Sequence, residues 1–204
     1  MNKYKILAFL FITFSSLGQD QRVIDILQAG KSIRNSVEYP DTNILEKEDD
    51  IRVILFHDGA NIESDISYYY YKENSFKANG KVIFTQGDSL LLTSDYIEYD
   101  GKTRKAYAYG NVVLKRPDMT LETDTLYLDR QKNIAFYNSF GKIIDNENTL
   151  RSKNGTYYMN PRKYIFTNNV TIENPEYSVK SEELEYFTET NLAYFNDKTL
   201  INGI

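Results

Sequence analysis

The sequence predicts an all-β protein, an elongated and bent stack of repeats with two sheets. The first observation is a period of about 29 residues, which runs from residue 64 to the C-terminus with anchors at Ser64, Ser94, Thr123, Ser152 and Ser181. A fixed period of this length indicates one supersecondary unit stacked on itself. The second observation is composition, because the 204 residues include 18 Tyr and 11 Phe but only 4 Pro, which favours strands. The third is that no segment has a 3.6-residue apolar period long enough for a helix.

Residues 1–18 have the features of a secretory signal peptide. Lys3 and Lys5 provide the positive charge, and the apolar run Ile6 to Phe14 is too short to span a bilayer. Small residues then lead to a cleavage site after Gly18. This order favours export over the alternative of a buried apolar N-terminal element.

Residues 19–52 are predicted to hold an N-terminal strand and an irregular first unit. The strand candidate is residues 23–27, with sequence VIDIL. Residues 34–50 are interpreted as a loop or an irregular first repeat, with a solvated charged tip at residues 46–50. A further strand is predicted at residues 53–56.

Residues 53–204 form the tandem array, which stops at Ile204, five residues short of a complete unit, and so leaves open a continuation beyond it. The second copy predicts four short strands separated by turns or bends. They are Tyr96 to Tyr99, Lys105 to Tyr109, Asn111 to Lys115 and Met119 to Thr123. Gly110 marks a bend that leaves the apolar face unchanged, and a one-residue slip at each anchor predicts a β-bulge. The interior is therefore expected to be a continuous apolar stripe.

Several function classes are disfavoured. The chain has no Cys, and its net charge of −5 argues against nucleic acid as a partner. The single His57 is expected at the surface, without a nucleophile in reach. The Ser/Thr–Asp pairs recur in successive repeats, which favours side-chain capping of the backbone over catalysis. We predict no catalytic residue, no metal site and no cofactor.

Two copies of the repeat carry a family resemblance. Ala78 to Val82 is followed by Leu92 to Asp95, and Ala108 to Val112 is followed by Leu121 to Asp124. This pattern resembles the OstA-like family, which includes the periplasmic lipopolysaccharide-transport bridge protein LptA and the N-terminal domain of its outer-membrane partner. The resemblance covers residues 53–204.

The resemblance implies a slipped β-jelly roll in the periplasm, with a hydrophobic groove for the acyl chains of lipid A. It also implies end-to-end strand pairing with other OstA-like modules or transport components. The residues expected to line the groove are Val82, Phe84, Leu92, Ile97, Tyr99, Val112, Leu114, Leu121, Leu126, Leu128, Ile143, Leu150 and Ile172.

Two other functions stay open. One is a structural or adhesive secreted repeat protein whose interior is packed and holds no lipid. The other is a β-helical carbohydrate-active enzyme, which would need paired carboxylates converging in one cleft. The even distribution of charge around the repeats makes the enzyme the least favoured of the three.

Overall fold

The computed structural model describes residues 23–88, 90–117, 119–145, 147–187, 189–190 and 192–203, so the predicted signal peptide lies outside the described residues. The described chain is all-β, as predicted. Its strands are β1 Asp25–Gln28, β2 Lys31–Ile33, β3 Thr42–Glu46, β4 Val53–His57, β5 Ala60–Ser64, β6 Ile66–Tyr70, β7 Ser75–Gln86, β8 Leu90–Asp100, β9 Lys105–Arg116, β10 Met119–Asp129, β11 Ile134–Tyr137, β12 Gly141–Ile144, β13 Thr149–Ser152, β14 Asn154–Met159, β15 Arg162–Glu173, β16 Tyr177–Phe187, β17 Leu192–Phe195 and β18 Leu200–Gly203.

These strands form one hydrogen-bonded antiparallel sheet that bends into two layers. The long strands β7, β8, β9, β10, β15 and β16 each contribute one half to each layer, while each short strand belongs to one layer. Layer A runs in the order β1, β4, β5, β7, β8, β9, β10, β12, β13, β15, β16 and β18. Layer B runs in the order β2, β3, β6, β7, β8, β9, β10, β11, β14, β15, β16 and β17.

The bend between the layers is a β-bulge that recurs in the repeats. The register shifts between Asn79 and Val82 where β7 pairs with β8, and between Thr167 and Val170 where β15 pairs with β16. At Gly110 the backbone is left-handed, with φ of 76°, and a side chain there would collide with Asp95, since an added Cβ would lie 2.6 Å from its Oδ2. Glycine is therefore required at this corner by both conformation and space. The predicted bend and bulge are confirmed.

The prediction of four separate short strands in the second repeat was wrong. β9 and β10 run through the corner as continuous strands of 12 and 11 residues. The reason is that the bulge absorbs the bend within two residues, so the hydrogen-bond ladder resumes on the other side.

The anchor hydroxyls cap the backbone at the corner, as the repeat pattern predicted. Four of the five hydroxyls have the carbonyl oxygen two residues further on within hydrogen-bond distance, whereas the Ser64 hydroxyl pairs with that of Ser67 at 2.8 Å. The distances are 3.0 Å from Ser94 to Tyr96, 3.3 Å from Thr123 to Thr125, 2.9 Å from Ser152 to Asn154 and 3.0 Å from Ser181 to Glu183. These hydrogen bonds satisfy backbone groups where the ladder is interrupted.

The irregular N-terminal unit closes one end of the stack. Residues 42–46, within the stretch interpreted as loop or irregular repeat, form β3 and pair with β6. Leu45 is buried there, and Ile24 ahead of β1 donates its N–H to the side-chain oxygen of Asn74 at 2.9 Å. Of the tip predicted at residues 46–50, residues 47–50 are exposed as expected, whereas Glu46 ends β3 and is partly buried. Buried residues then form one large core from Ile24 to Tyr137 and a smaller cluster around Phe166, Val170 and Leu184.

Candidate functional site

The interior of the first two regular repeats is densely packed. Six of the residues predicted to line a groove lie here, and none of them is more than 3% exposed. They are Val82, Phe84, Leu92, Ile97, Tyr99 and Val112. At this depth the two layers are in full contact, so these side chains stabilise the fold.

A cavity separates the two layers in the middle of the stack. It has a volume of about 40 Å³, which is room for only a few groups the size of a water molecule. Five of the predicted groove residues line it: Leu114, Leu121, Leu126, Leu128 and Ile143. The first two and Ile143 belong to layer A, and the other two belong to layer B. The bend of the sheet therefore brings both halves of β10 to the same cavity.

The layer B wall of the cavity is largely aromatic. Tyr157 stacks on Tyr164 with ring centroids 4.5 Å apart, and Tyr164 stacks on Phe166 at 5.7 Å. Ala135 and Tyr137 complete this wall. These five residues occupy apolar columns of the repeat, at 5, 12 and 14 residues after an anchor. The periodicity of the sequence was therefore sufficient to identify them as candidate lining residues.

Arg116 is the one ionisable basic residue among the described residues that line the cavity. It ends β9 on the same face as Val112 and Leu114, and its guanidinium carbon lies 5.3 Å from the centroid of the Tyr157 ring. Because Arg116 is in layer A and Tyr157 in layer B, this cation–π contact bridges the two layers at the rim. Sequence reasoning missed Arg116, since its column is polar in the other repeats.

Tyr137 closes the inner end of the cavity. Its ring lies against Gly141 and Gly155, where an added Cβ would come within 2.3 Å and 2.4 Å of ring atoms. Its hydroxyl is 2.7 Å from the Ser152 hydroxyl, and because Ser152 donates to Asn154, Tyr137 is the donor. Burial raises the pKa of Tyr137 to about 12.

The last two predicted groove residues, Leu150 and Ile172, lie beyond the cavity. They are partly buried and pack against the small cluster of Phe166, Val170 and Leu184. Further towards the C-terminus the interior opens to solvent, and Ile201, on the inner face of β18, is 60% exposed. The predicted residues therefore divide among the packed core, the cavity and the small second cluster.

His57 is buried, which corrects its expected surface position. It is 2% exposed, and its Nδ1 lies 2.8 Å from the Tyr99 hydroxyl. Arg130 donates to the same hydroxyl at 2.9 Å, so the Tyr99 hydroxyl links His57 to Arg130. Arg130 also donates to the Asp58 carbonyl at 2.8 Å. The imidazole therefore belongs to a polar network that ties the turns after β4 and β10 to the core.

The described residues contain no group of three or more His, Cys, Asp or Glu placed to hold a metal ion. In the part of the chain that the structure covers, no helix has the length and apolar character needed to cross a membrane. The cavity itself presents an apolar and aromatic lining with one guanidinium at its rim.

Comparison with known proteins places these features in a family. A model of the family described as OstA-like protein matches residues 21–182. A protein of Aquifex aeolicus (strain VF5), described as uncharacterized, is 31% identical over 95 residues, which are 46% of this chain and 55% of that relative, so the match spans about half the relative's length. LptH of Pseudomonas aeruginosa, described as the LptA-homologous periplasmic component of the conserved lipopolysaccharide transport device, aligns with a TM-score of 0.49 and 14% identity, over 56% of this chain and 93% of LptH. Because the family match covers well over half of the sequence, the chain belongs to the OstA-like protein family.

Proposed function

We propose that this protein is a periplasmic, non-enzymatic carrier that holds the acyl chains of lipopolysaccharide during transport to the outer membrane. The observation that carries the proposal is the apolar cavity between the two layers, lined by Leu114, Leu121, Leu126, Leu128 and Ile143. Membership of the OstA-like family supports the same function. The signal peptide predicted at residues 1–18 supports export.

The energetics of such a site follow from the hydrophobic effect. Each methylene group moved from water into the cavity contributes about 0.8 kcal/mol. The present volume of about 40 Å³ does not accommodate a whole acyl chain, so binding requires the layers to separate. The layers are continuous through the bulged strands, whereas at the cavity rim they are bridged by side chains such as Arg116 and Tyr157, so we expect the separation to occur at the rim.

We also propose that the C-terminal end pairs with another OstA-like module. β17 and β18 are the last strands of layers B and A in the described chain. Such strands present backbone donors and acceptors that a further strand can use by β-augmentation. Pairing there would align the interiors of two modules into one apolar track.

Site-specific photocrosslinking tests lipid carriage. A photoreactive residue at Leu121, which lines the cavity, is expected to crosslink to lipopolysaccharide in cells. The matched control is the adjacent Glu122, which is exposed on the opposite face of β10. Equal crosslinking at both positions, or none at Leu121, would contradict the proposal.

The competing function is a structural or adhesive repeat protein with a packed interior. The small volume of the cavity favours it. The same experiment separates the two functions, because a packed structural repeat gives no lipopolysaccharide adduct at Leu121.

A further inference from the structure

We infer that Arg116 is the subsite for the phosphate headgroup of the lipid whose acyl chain occupies the cavity. This inference rests on the proposed function, and it adds which end of the lipid lies at the rim and which residue recognises it. The occupant is a phosphate-bearing acyl lipid, taken here as the phosphorylated acyl portion of lipopolysaccharide.

The Arg116 side chain points towards the interior of the stack. In β9 the burial alternates, with Val112 and Leu114 buried and Lys115 exposed. Arg116 follows in the same alternation, so it lies on the inner face and contributes to the cavity wall, whereas Lys115 lies on the outer face. Because Arg116 faces inward, its charge does not contribute to the solvation of the outer face of the sheet.

Arg116 is the one basic residue in its column of the repeat. The residues 22 positions after the other anchors are Gln86, Asp145, Asn174 and Gly203, and none of them is basic. The described cavity lining is otherwise apolar, aromatic or neutral. The one positive charge in this column thus belongs to a repeat that contributes to the cavity wall.

The guanidinium of Arg116 is chemically complementary to a phosphate group. A guanidinium presents two parallel N–H donors that match two phosphate oxygens, and it is more weakly hydrated than an ammonium group. Its present contact, 5.3 Å from the centroid of the Tyr157 ring, holds the rim closed between the layers. A phosphate that draws the guanidinium away from this ring would open the rim where the acyl chain must pass. Headgroup recognition and opening of the cavity are then one event.

The test compares two single-chain amphiphiles of equal chain length, dodecyl phosphate and the neutral dodecyl maltoside, by calorimetric titration of the mature protein. Wild type is expected to bind the phosphate more tightly. Arg116→Gln is expected to weaken dodecyl phosphate binding by roughly tenfold or more, the range for loss of a charge-assisted hydrogen bond, and to leave dodecyl maltoside within about twofold. Arg116→Lys should retain part of the preference, because it keeps the charge without the planar fork.

Lys115→Gln is the matched control, since it removes the same charge from the neighbouring outward position. Equal loss of dodecyl phosphate binding in Lys115→Gln and Arg116→Gln would overturn the inference, because the change in the protein's overall charge would then explain both losses. Wild type that binds the two amphiphiles equally would overturn the inference and leave lipid carriage standing. Wild type that binds neither would overturn both, and thermal melts of each variant separate lost binding from lost folding.

Lipopolysaccharide itself provides the second arm. Binding of intact and enzymatically dephosphorylated lipopolysaccharide to wild type should differ, and the difference should vanish in Arg116→Gln. A preference for the intact form that persists in Arg116→Gln would contradict the assignment to this residue.

Discussion

At the scale of single residues, Tyr137 fills the corner at one end of the cavity. Its ring fills the space that Gly141 and Gly155 leave open, and its hydroxyl donates to Ser152. The same column holds Ala78 and Ala108 in the preceding repeats, where other side chains fill the core. The cavity-lining ring of Tyr137 thus occupies a column that is alanine in the two densely packed repeats.

The burial of Tyr137 makes a prediction about alkaline stability. Its pKa is raised from 10.0 to about 12, so between these pH values the unfolded state loses a proton that the folded state keeps. The contribution of Tyr137 to the free energy of unfolding is therefore fully present below pH 10.0. It falls by about 2–3 kcal/mol as the pH rises towards about 12. Tyr137→Phe removes this pH dependence and one hydrogen bond, while Ser152 keeps its bond to Asn154.

Urea unfolding of wild type and Tyr137→Phe across this pH range checks the prediction. Near neutral pH the variant is expected to be less stable by about 1 kcal/mol, the usual value of one hydrogen bond. The difference should shrink or reverse as the pH approaches 12. A stability difference that is independent of pH would contradict it.

At the scale of strands, the repeat columns predicted which residues face inward and where the sheet bends. Gly80 and Gly110 have positive φ at the expected corners, and the bulges follow. The columns did not predict where the layers part, because that depends on the combined volume of facing side chains from both layers. They also missed Arg116, since a polar column is equally compatible with solvent and with a cavity rim.

The contrast between packed core and cavity can be measured on one pair of leucines. Leu92 of β8 and Leu114 of β9 are directly opposite each other in layer A, and only Leu114 lines the cavity. Leu92→Ala is expected to destabilise by about 2–5 kcal/mol through the void it leaves, with little effect on amphiphile binding. Leu114→Ala should cost less stability, because its cavity side lacks packing partners already, and should weaken amphiphile binding.

Chemical denaturation and amphiphile titration of both variants provide the measurement. Equal destabilisation with equal loss of binding would show that the two positions belong to the same environment. In that case the assignment of Leu114 to a binding cavity would be wrong.

At the scale of the whole molecule, the two ends of the stack differ. The N-terminal end buries Ile24 and Leu45, although the edge strand β1 leaves Ile26 and Leu27 exposed. Towards the C-terminus the core thins into a small cluster, and β17 and β18 leave large apolar side chains exposed. The head-to-tail pairing proposed above would place β17 and β18 of one module against the N-terminal edge strands β1 and β2 of another.

This asymmetry predicts the effect of a charge at the C-terminal edge. Ile201 pairs with the buried Val179 and therefore lies on the inner face of β18, whereas its neighbour Leu200 pairs with Lys180 on the outer face. The two are similarly exposed, at 60% and 56%, so lysine at either position should leave the fold intact. Ile201→Lys is expected to abolish the proposed head-to-tail association, because the charge would be buried between stacked interiors without a partner, and Leu200→Lys is expected to preserve it.

Sedimentation velocity of both variants over a wide range of concentrations, alone and mixed with a second OstA-like module, measures this association directly. Association that survives Ile201→Lys, or that fails equally in Leu200→Lys, would mean that the inner face of β18 is not the junction.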